Sequence, residues 1–109
     1  MVSSLAEPLD RTFAALGDPT RRALLTTLAT GHRTVGELAA PLPISLVAVI
    51  KHLNVLERAG LIQRTRHGRT VVCALRPTGL DDAAGWIAAY RDFWHGQLDR
   101  LTDYLSEAP

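Results

Sequence analysis

Three closely spaced arginines are the residues of this sequence that best suit a chemical task. Arg64, Arg66 and Arg69 stand two and three positions apart around His67-Gly68, a pair that can form the turn of a β-hairpin. A guanidinium group donates hydrogen bonds in a planar fork that matches the oxygens of a phosphate. The spacing therefore predicts a hairpin with a basic tip that can bind the backbone of a polyanion.

The charge is unevenly distributed along the chain. The net charge of the 109 residues is only +1. Residues 21–76 nevertheless hold nine basic and two acidic residues, a net of +7, whereas residues 1–20 and 77–109 carry −2 and −4. A basic middle of this kind attracts nucleic acid. The alternative is an ordinary solvated surface, which charge alone does not exclude.

A capped amphipathic helix is predicted directly before the basic hairpin. Ser45 is a typical N-cap, and Val49, Leu53 and Leu56 recur at the four- and three-residue spacing of a buried stripe. Gly60 predicts a residue in the left-handed conformation that ends the helix. The helix is therefore expected to bury one side in a core and to leave the opposite side open.

Three shorter helices are predicted before this one. Residues 8–16 form the first, Asp18 caps the second, and Thr34 with Glu37 forms the capping box of the third. Pro41 helps to stop the third helix, so only a short turn separates it from the next. Two helices joined in this way form a helix-turn-helix pattern, although many helical bundles contain similar corners.

Two strands are predicted after the capped helix, over residues 61–66 and 69–75. A hairpin that directly follows such a helix is predicted to act as a wing that contacts backbone phosphate or the minor groove. The alternative is an edge hairpin that carries arginines for solubility. Cys73 alternates with Val71 and Leu75 on one face of the second strand, so we expect a core residue rather than a redox sensor.

A long helix is predicted over residues 79–106, with Thr78 and Asp81 as its capping pair. Its apolar residues repeat every three or four positions over a length that one small domain cannot cover. The simplest partner is the same helix of a second copy. Alternatively, the aromatic residues of this helix line a ligand pocket; they are Trp86, Tyr90, Phe93 and Trp94. The residues predicted to form the dimer contact are Leu9, Phe13, Ile87, Tyr90, Trp94, Leu98, Leu101 and Leu105.

Five segments of the sequence together carry a family resemblance; they are LGDPTRRALLTTL (16–28), TVGELAAPL (34–42), AVIKHLNVLERAGLI (48–62), HGR (67–69) and YRDFWHGQLDRL (90–101). With these segments the sequence resembles the ArsR/SmtB-type winged-helix repressors of bacteria over nearly its whole length. The resemblance implies a mainly α fold with a small β-hairpin, a winged helix-turn-helix with four helices, two strands and a fifth helix. It also implies one DNA-binding domain over residues 1–109, whose terminal helix, at about residues 78–106, dimerises. Such proteins repress genes, often their own, at a palindromic operator and release DNA when a signal arrives.

The resemblance places the DNA contacts on the helix after the turn and on the hairpin. Polar residues are more usual at the base-contacting positions of the family, whereas this sequence has Leu46, Val47 and Ile50. Apolar side chains can contact thymine methyl groups but form no bidentate hydrogen bonds, which leaves more of the recognition to phosphate contacts and DNA shape. Alternatively, the three form a patch for a protein partner. The predicted DNA-binding residues are Ser45, Leu46, Val47, Ile50, Lys51, His52, Arg64, Arg66 and Arg69.

The metal ligands that are common in the family are not matched here. Ala39 and Pro41 stand where its metal sensors often carry a pair of cysteines. Asp92, His95 and Asp99 can share one helical face, and such groups can bind a metal, so a metal-responsive sensor of the same fold is an alternative. We expect no resident metal and no cofactor. The inducing signal, whether small molecule or metal, stays open.

Other functional classes find less support. The sequence has no nucleophile elbow, phosphate-binding glycine loop or paired catalytic carboxylates, so we do not expect an enzyme. It has no apolar run near the roughly 18 residues of a membrane helix and no signal-peptide layout. With Cys73 as the only cysteine, a cytosolic protein is the expectation. A dimeric interaction module without specific DNA binding is the remaining rival, and the basic hairpin argues against it.

Overall fold

A computed structural model of the protein describes residues 6–107. Within them the chain forms a winged helix-turn-helix, as predicted. The elements in chain order are α1 (Ala6–Leu16), α2 (Pro19–Leu28), β1 (Arg33–Thr34), α3 (Val35–Ala39), α4 (Leu46–Arg58), β2 (Ile62–His67), β3 (Thr70–Leu75) and α5 (Asp81–Glu107).

The sheet has one strand more than the predicted hairpin. β1 pairs antiparallel with β3, with Arg33 opposite Cys73, so the sheet order is β1-β3-β2. β1 was not predicted because two residues are too few to show an alternating pattern. The pairing holds the start of α3 against the wing.

The hairpin turn lies one residue later than predicted. His67 pairs with Thr70, so the two-residue loop is Gly68-Arg69 rather than His67-Gly68. Gly68 has φ +65°, a conformation that glycine adopts without a steric penalty. Glycine at the first loop position is the pattern of a type II′ hairpin turn. The shift places Arg69 at the tip of the wing.

The predicted caps of three helices are confirmed. Asp18 Oδ2 accepts from the backbone N–H of Arg21 at 3.0 Å at the start of α2. Thr34 and Glu37 form a reciprocal capping box at α3. Ser45 Oγ accepts from the N–H of Ala48 at 3.1 Å at the start of α4. These bonds satisfy backbone donors that the first turn of a helix leaves free.

The start of α5 differs from its prediction. The helix begins at Asp81, two residues later than expected, and the N–H of Asp81 donates to the backbone oxygen of Thr78 at 3.2 Å. A backbone turn thus stands where a side-chain capping pair was predicted. The same segment passes very close to the end of α4, because a Cβ added at Gly79 would lie 2.6 Å from the oxygen of Gly60.

The end of α4 is formed by Gly60, as predicted. Gly60 has φ +75°, its N–H donates to the oxygen of Glu57, and the N–H of Leu61 donates to that of Leu56, both at 3.0 Å. This pair of bonds is a Schellman motif, which satisfies the last carbonyls of the helix and turns the chain directly into β2.

The core lies between the first four helices and the sheet. The stripe predicted on α4 is confirmed, since Val49, Leu53 and Leu56 are fully buried. Ile62 and Cys73 bring the wing into the same core, as expected for Cys73. Within the described residues, α5 contributes only Ala83 to the buried set. Its 27 residues extend over about 40 Å and lie largely outside the core.

Candidate nucleic-acid interface

The side of α4 opposite the core is exposed and apolar. Leu46, Val47 and Ile50 are 53%, 62% and 37% exposed. Ile44, which precedes the N-cap, is 38% exposed and enlarges the surface; we call Ile44, Leu46, Val47 and Ile50 the α4 patch. Ile44 was not predicted because it lies outside the helical period. Lys51 is exposed beside the patch, so α4 presents methyl and methylene groups next to a cation.

The wing presents two cations next to this helix, and neither has a hydrogen-bond or ion-pair partner within residues 6–107. Arg66 lies near the end of β2 opposite Val71, and Arg69 lies in the loop. Both side chains are exposed. Because α4 leads directly into β2, the wing and the α4 patch belong to one continuous segment of chain.

Arg64 lies in the same strand but is bonded within the molecule. Its guanidinium donates to Glu57 Oε1 at 2.7 Å and to Asn54 Oδ1 at 2.7 Å, and its backbone N–H donates to Glu57 Oε2 at 3.1 Å. The hydrogen bonds from Arg64 hold the pKa of the Glu57 carboxyl below its usual range. This cluster fixes β2 to α4. Neither Glu57 nor Asn54 was predicted from the sequence, although the cluster depends on both.

Two further arginines of the basic middle bind the end of α1. Arg21 donates to the backbone oxygens of Ala15 at 2.8 Å and Ala14 at 3.0 Å, and Arg22 donates to that of Leu16 at 2.7 Å. Cations at a helix C-terminus satisfy its last carbonyls and oppose the negative end of its dipole. These two charges therefore serve α1 in the folded chain, which the charge count could not reveal.

His52 lies at the junction of α4 with the loop before α2. Its Nδ1 is 3.3 Å from Arg21 NH1 and 3.8 Å from Asp18 Oδ2. The hydrogen bond from the backbone N–H of Arg21 is the main cause that lowers the pKa of the Asp18 carboxyl. One edge of the His52 ring is thus turned to Arg21 and Asp18.

The long apolar side of α5 is open in the single chain. The six predicted dimer residues of this helix are 47–62% exposed; they are Ile87, Tyr90, Trp94, Leu98, Leu101 and Leu105. Stacked and edge-to-face ring pairs link its aromatic residues, and Phe13 of α1 joins them with its ring 5.7 Å from that of Trp86. Leu9 is half-buried and borders a groove of about 410 Å³ beside Phe13 and Trp86. The structure brings α1 and α5 together in one apolar surface.

The remaining residues of interest are not gathered into a site. The Cys73 thiol is fully buried, and this burial raises its pKa. Within residues 6–107 no three His, Cys, Asp or Glu side chains lie close enough together to hold a metal ion, and this includes Asp92, His95 and Asp99. In the same part of the chain, no helix combines the length and the apolar character needed to cross a membrane.

Comparison with known proteins points to one kind of function. A family model described as a helix-turn-helix domain matches residues 16–65. The chain is 49% identical to the HTH-type transcriptional regulator Rv2034 of Mycobacterium tuberculosis over 65% of this chain and 66% of that protein. It is 35% identical to the transcriptional repressor SdpR of Bacillus subtilis over 72% of this chain and 88% of that protein.

Solved structures agree with these sequence relatives. A crystal structure of an ArsR family transcriptional regulator superposes with a TM-score of 0.78 at 37% identity, covering 87% of this chain and 97% of that one. An ArsR-like transcriptional regulator from a Rhodococcus species gives a TM-score of 0.76 at 29% identity, covering 94% of this chain and 96% of that one. Both likenesses extend beyond the matched helix-turn-helix segment.

Proposed function

Since the chain belongs to the ArsR/SmtB family of DNA-binding transcriptional regulators, we propose that it acts as a homodimeric repressor at a palindromic operator. In this proposal each protomer inserts α4 into one of two successive major grooves, with half-site centres about 34–36 Å apart. The observation that carries it is the exposed side of α4, flanked by the two free arginines of a wing that Glu57 and Arg64 tie to the same helix. A regulator of transcription works where the DNA is, so we propose a cytoplasmic location.

The proposed contacts divide into backbone and base contacts. Arg66 and Arg69 bind phosphates or enter the minor groove, and Lys51 binds phosphate beside α4. Ser45 lies at the N-terminal end of α4, where a helix presents positive charge to phosphate. Arg64 has its guanidinium occupied by Glu57 and Asn54, so we propose that it positions the wing and contributes to DNA binding only through that effect.

The α4 patch is proposed to meet thymine methyl groups. Leu46, Val47 and Ile50 offer no hydrogen bonds to base edges, so their discrimination depends on shape and on burial of methyl groups. Sequence preference then also depends on how easily the DNA deforms around the helix. We therefore expect an operator with thymine-bearing steps under α4 and a modest ratio of specific to non-specific affinity.

Dimerisation is proposed to use the apolar surface formed by α1 and α5. Its support is the exposure of the α5 stripe over the whole helix, together with the aromatic contact between Phe13 and Trp86. Burial of such a surface against a second copy removes apolar area from water, which drives association. We propose that residues 78–106 serve this role and that two α4 helices are thereby set at a fixed spacing.

The repressor proposal is tested by in vitro selection from a random DNA library, followed by titration of the selected site. Success is a palindromic site that binds more tightly than scrambled DNA of the same composition, with an affinity that falls steeply as salt rises. Equal affinity for the selected and scrambled DNA would sink the proposal of specific repression. Adding divalent metals to a parallel titration examines the metal-sensor alternative.

A protein partner at the α4 patch is the second candidate function, favoured by the four exposed apolar side chains of that patch. One variant distinguishes the two candidates. Val47→Ser removes apolar surface and adds a hydroxyl that can donate to a base edge. If the patch contacts DNA bases, the selected sequence should change under α4. If it binds only protein, the selected sequence should stay the same.

A further inference from the structure

Arg21 has one donor group left after it caps α1, and that group faces His52. Its Nε and NH2 groups donate to Ala15 and Ala14 at 2.8 and 3.0 Å, which fixes the plane of the guanidinium. NH1 then lies 3.3 Å from Nδ1 of His52. The bond joins the first turn of α2 to the middle of α4.

The chemistry of the two groups determines which nitrogen of the ring carries the proton. A guanidinium only donates hydrogen bonds, so Nδ1 of His52 must accept. The ring is therefore neutral in this arrangement, with its proton on Nε2. Asp18 does not compete for a proton on Nδ1, since its Oδ2 is 3.8 Å away and already accepts from the N–H of Arg21.

The Nε2–H group is turned to solvent. It has no hydrogen-bond partner among the described residues. In this part of the chain, however, every buried side-chain nitrogen or oxygen does have a partner. Nε2 must therefore reach water, which agrees with a side chain that is 23% exposed. His52 follows Ser45 by seven residues, or two helical turns, so both lie on one flank of α4. Lys51 precedes it on the exposed side.

We infer that His52 binds DNA as a neutral donor: Arg21 holds the ring in the tautomer with its proton on Nε2, and this N–H donates to a backbone phosphate at the edge of the major groove. Arg21 is then a positioning residue, which caps α1 and orients His52 with the same guanidinium. The inference rests on the proposed entry of α4 into DNA.

Two substitutions at His52 separate the donor from the internal bond. In His52→Asn the amide oxygen can still accept from Arg21, but no donor reaches the position of Nε2. In His52→Gln the amide nitrogen can donate at about that position, while the bond to Arg21 is removed. We expect the Asn variant to bind DNA about tenfold to a hundredfold more weakly, as for the removal of a hydrogen bond to a charged group, and the Gln variant to stay within a few-fold of the parent. The opposite order of the two variants, or equal affinities for both, would overturn the donor role.

The salt dependence distinguishes a neutral donor from a cation. Removal of a neutral donor weakens binding equally at every salt concentration, so log Kd against log salt should keep its slope in His52→Asn. If His52 met the phosphate as a cation, the slope would fall by about 0.9, the value for one phosphate that is no longer neutralised. That result would refute the proposed neutral tautomer. Arg66→Ala, measured in parallel, shows that the titration can detect such a change.

The tautomer is observable in the free protein from the nitrogen chemical shifts of the imidazole ring. The parent should show a protonated Nε2 and an unprotonated Nδ1; a protonated Nδ1 would overturn the inference. Arg21→Met should populate both tautomers and weaken DNA binding. Arg22→Met is the matched control, because it removes a neighbouring cap of α1 without touching His52.

The proposed function and the role of His52 fail under different results. A parent protein that binds no DNA would defeat the proposed function, whatever the ring shifts show. A parent that binds its selected site, together with a His52→Asn variant of equal affinity, would defeat only the role of His52.

Discussion

Arg66 and Arg69 are the wing cations that have no partner in the described part of the chain, and their removal should weaken binding to all DNA sequences alike. Contacts to phosphate carry no sequence information, so the Arg66→Ala/Arg69→Ala double variant should bind selected and scrambled DNA more weakly by the same factor. The slope of log Kd against log salt should fall by about 0.9 for each phosphate that an arginine no longer neutralises. Arg91→Ala, an exposed arginine of α5, is the control. Unchanged affinity in the double variant would remove the wing from the interface.

Glu57 should stabilise the fold in a pH-dependent way. Hydrogen bonds from Arg64 lower the pKa of the folded carboxyl, so the carboxylate contributes stability above its unfolded pKa, and the contribution is lost as the pH falls through the folded pKa. Glu57→Gln should therefore reduce the free energy of unfolding at neutral pH, with a difference from the parent that shrinks in acid. Denaturant titrations at several pH values measure this. The Glu107→Gln variant, altered at an exposed carboxylate at the end of α5, should track the parent throughout; a Glu57→Gln deficit that did not change with pH would contradict the assignment.

The arginines show what residue types alone can predict. Their spacing predicted a basic wing, and the wing is present. The same spacing could not distinguish the bonded Arg64 from the exposed Arg66. The distinction depends on Glu57 and Asn54 of α4, which lie within hydrogen-bond distance of the Arg64 guanidinium. Similarly, Arg21 and Arg22 added to the basic count while their charges are used at the end of α1. A charge count includes every charged residue, whereas the charge available to a ligand depends on which side chains are exposed and unpaired after folding.

At the scale of elements, local signals predicted the caps of α2, α3 and α4 and the end of α4, but they failed at α5, where a backbone turn replaces the predicted pair of Thr78 and Asp81. The caps at Asp18, Thr34 and Ser45 and the stop at Gly60 act within a few residues, so sequence spacing contains the whole interaction. β1 was not predicted because its two residues become a strand only through pairing with β3, about forty positions later. The shifted turn has the same cause, since the register of β2 with β3 decides which residues remain for the loop.

The junction between α4 and α5 should depend on glycine at position 79. A Cβ there would lie 2.6 Å from the oxygen of Gly60 and 3.0 Å from Cα of Leu61, and both are backbone atoms that cannot rotate away. Gly79→Ala should therefore displace the start of α5 and cost about 1–3 kcal/mol of stability, in the range of other overpacked sites. Thermal unfolding measures the change.

Gly36→Ala is the matched control for this junction. A Cβ at Gly36 would meet only Thr34 Oγ1, at an ordinary 3.9 Å, and the residue lies in a helix. Alanine is favoured over glycine in helices by about 0.8–1 kcal/mol, so this variant should be as stable as the parent or more stable. A Gly79→Ala protein with an unchanged melting temperature would show that the two backbones can separate without cost.

The whole molecule is elongated, with extents of 71 × 34 × 21 Å, because α5 runs beyond the body that contains α4 and the wing. Helical periodicity predicted the α5 stripe, and its side chains are exposed as a dimer surface requires. No pattern within one chain specifies the partner, since burial against a second copy and burial against a different protein demand the same apolar spacing. The oligomeric state is therefore the property that most needs measurement.

Charged replacements on the α5 stripe should produce monomers that no longer bind the operator tightly. In the Leu98→Glu/Leu101→Glu variant two carboxylates would have to enter an apolar contact, where an unpaired charge is strongly disfavoured. Light scattering during size-exclusion chromatography should give half the mass of the parent. The variant should keep its helical content because α5 adds little to the core, while its melting temperature should fall because the stabilisation by a second copy is lost. Asp103→Lys, a charge change on the other side of the helix, should remain dimeric.

A monomer has one α4 helix and cannot bind two half-sites at once, so its affinity for the palindrome should approach that for a single half-site. A folded dimer in the Leu98→Glu/Leu101→Glu variant would place the dimer contact elsewhere and remove the proposed spacing of the two α4 helices.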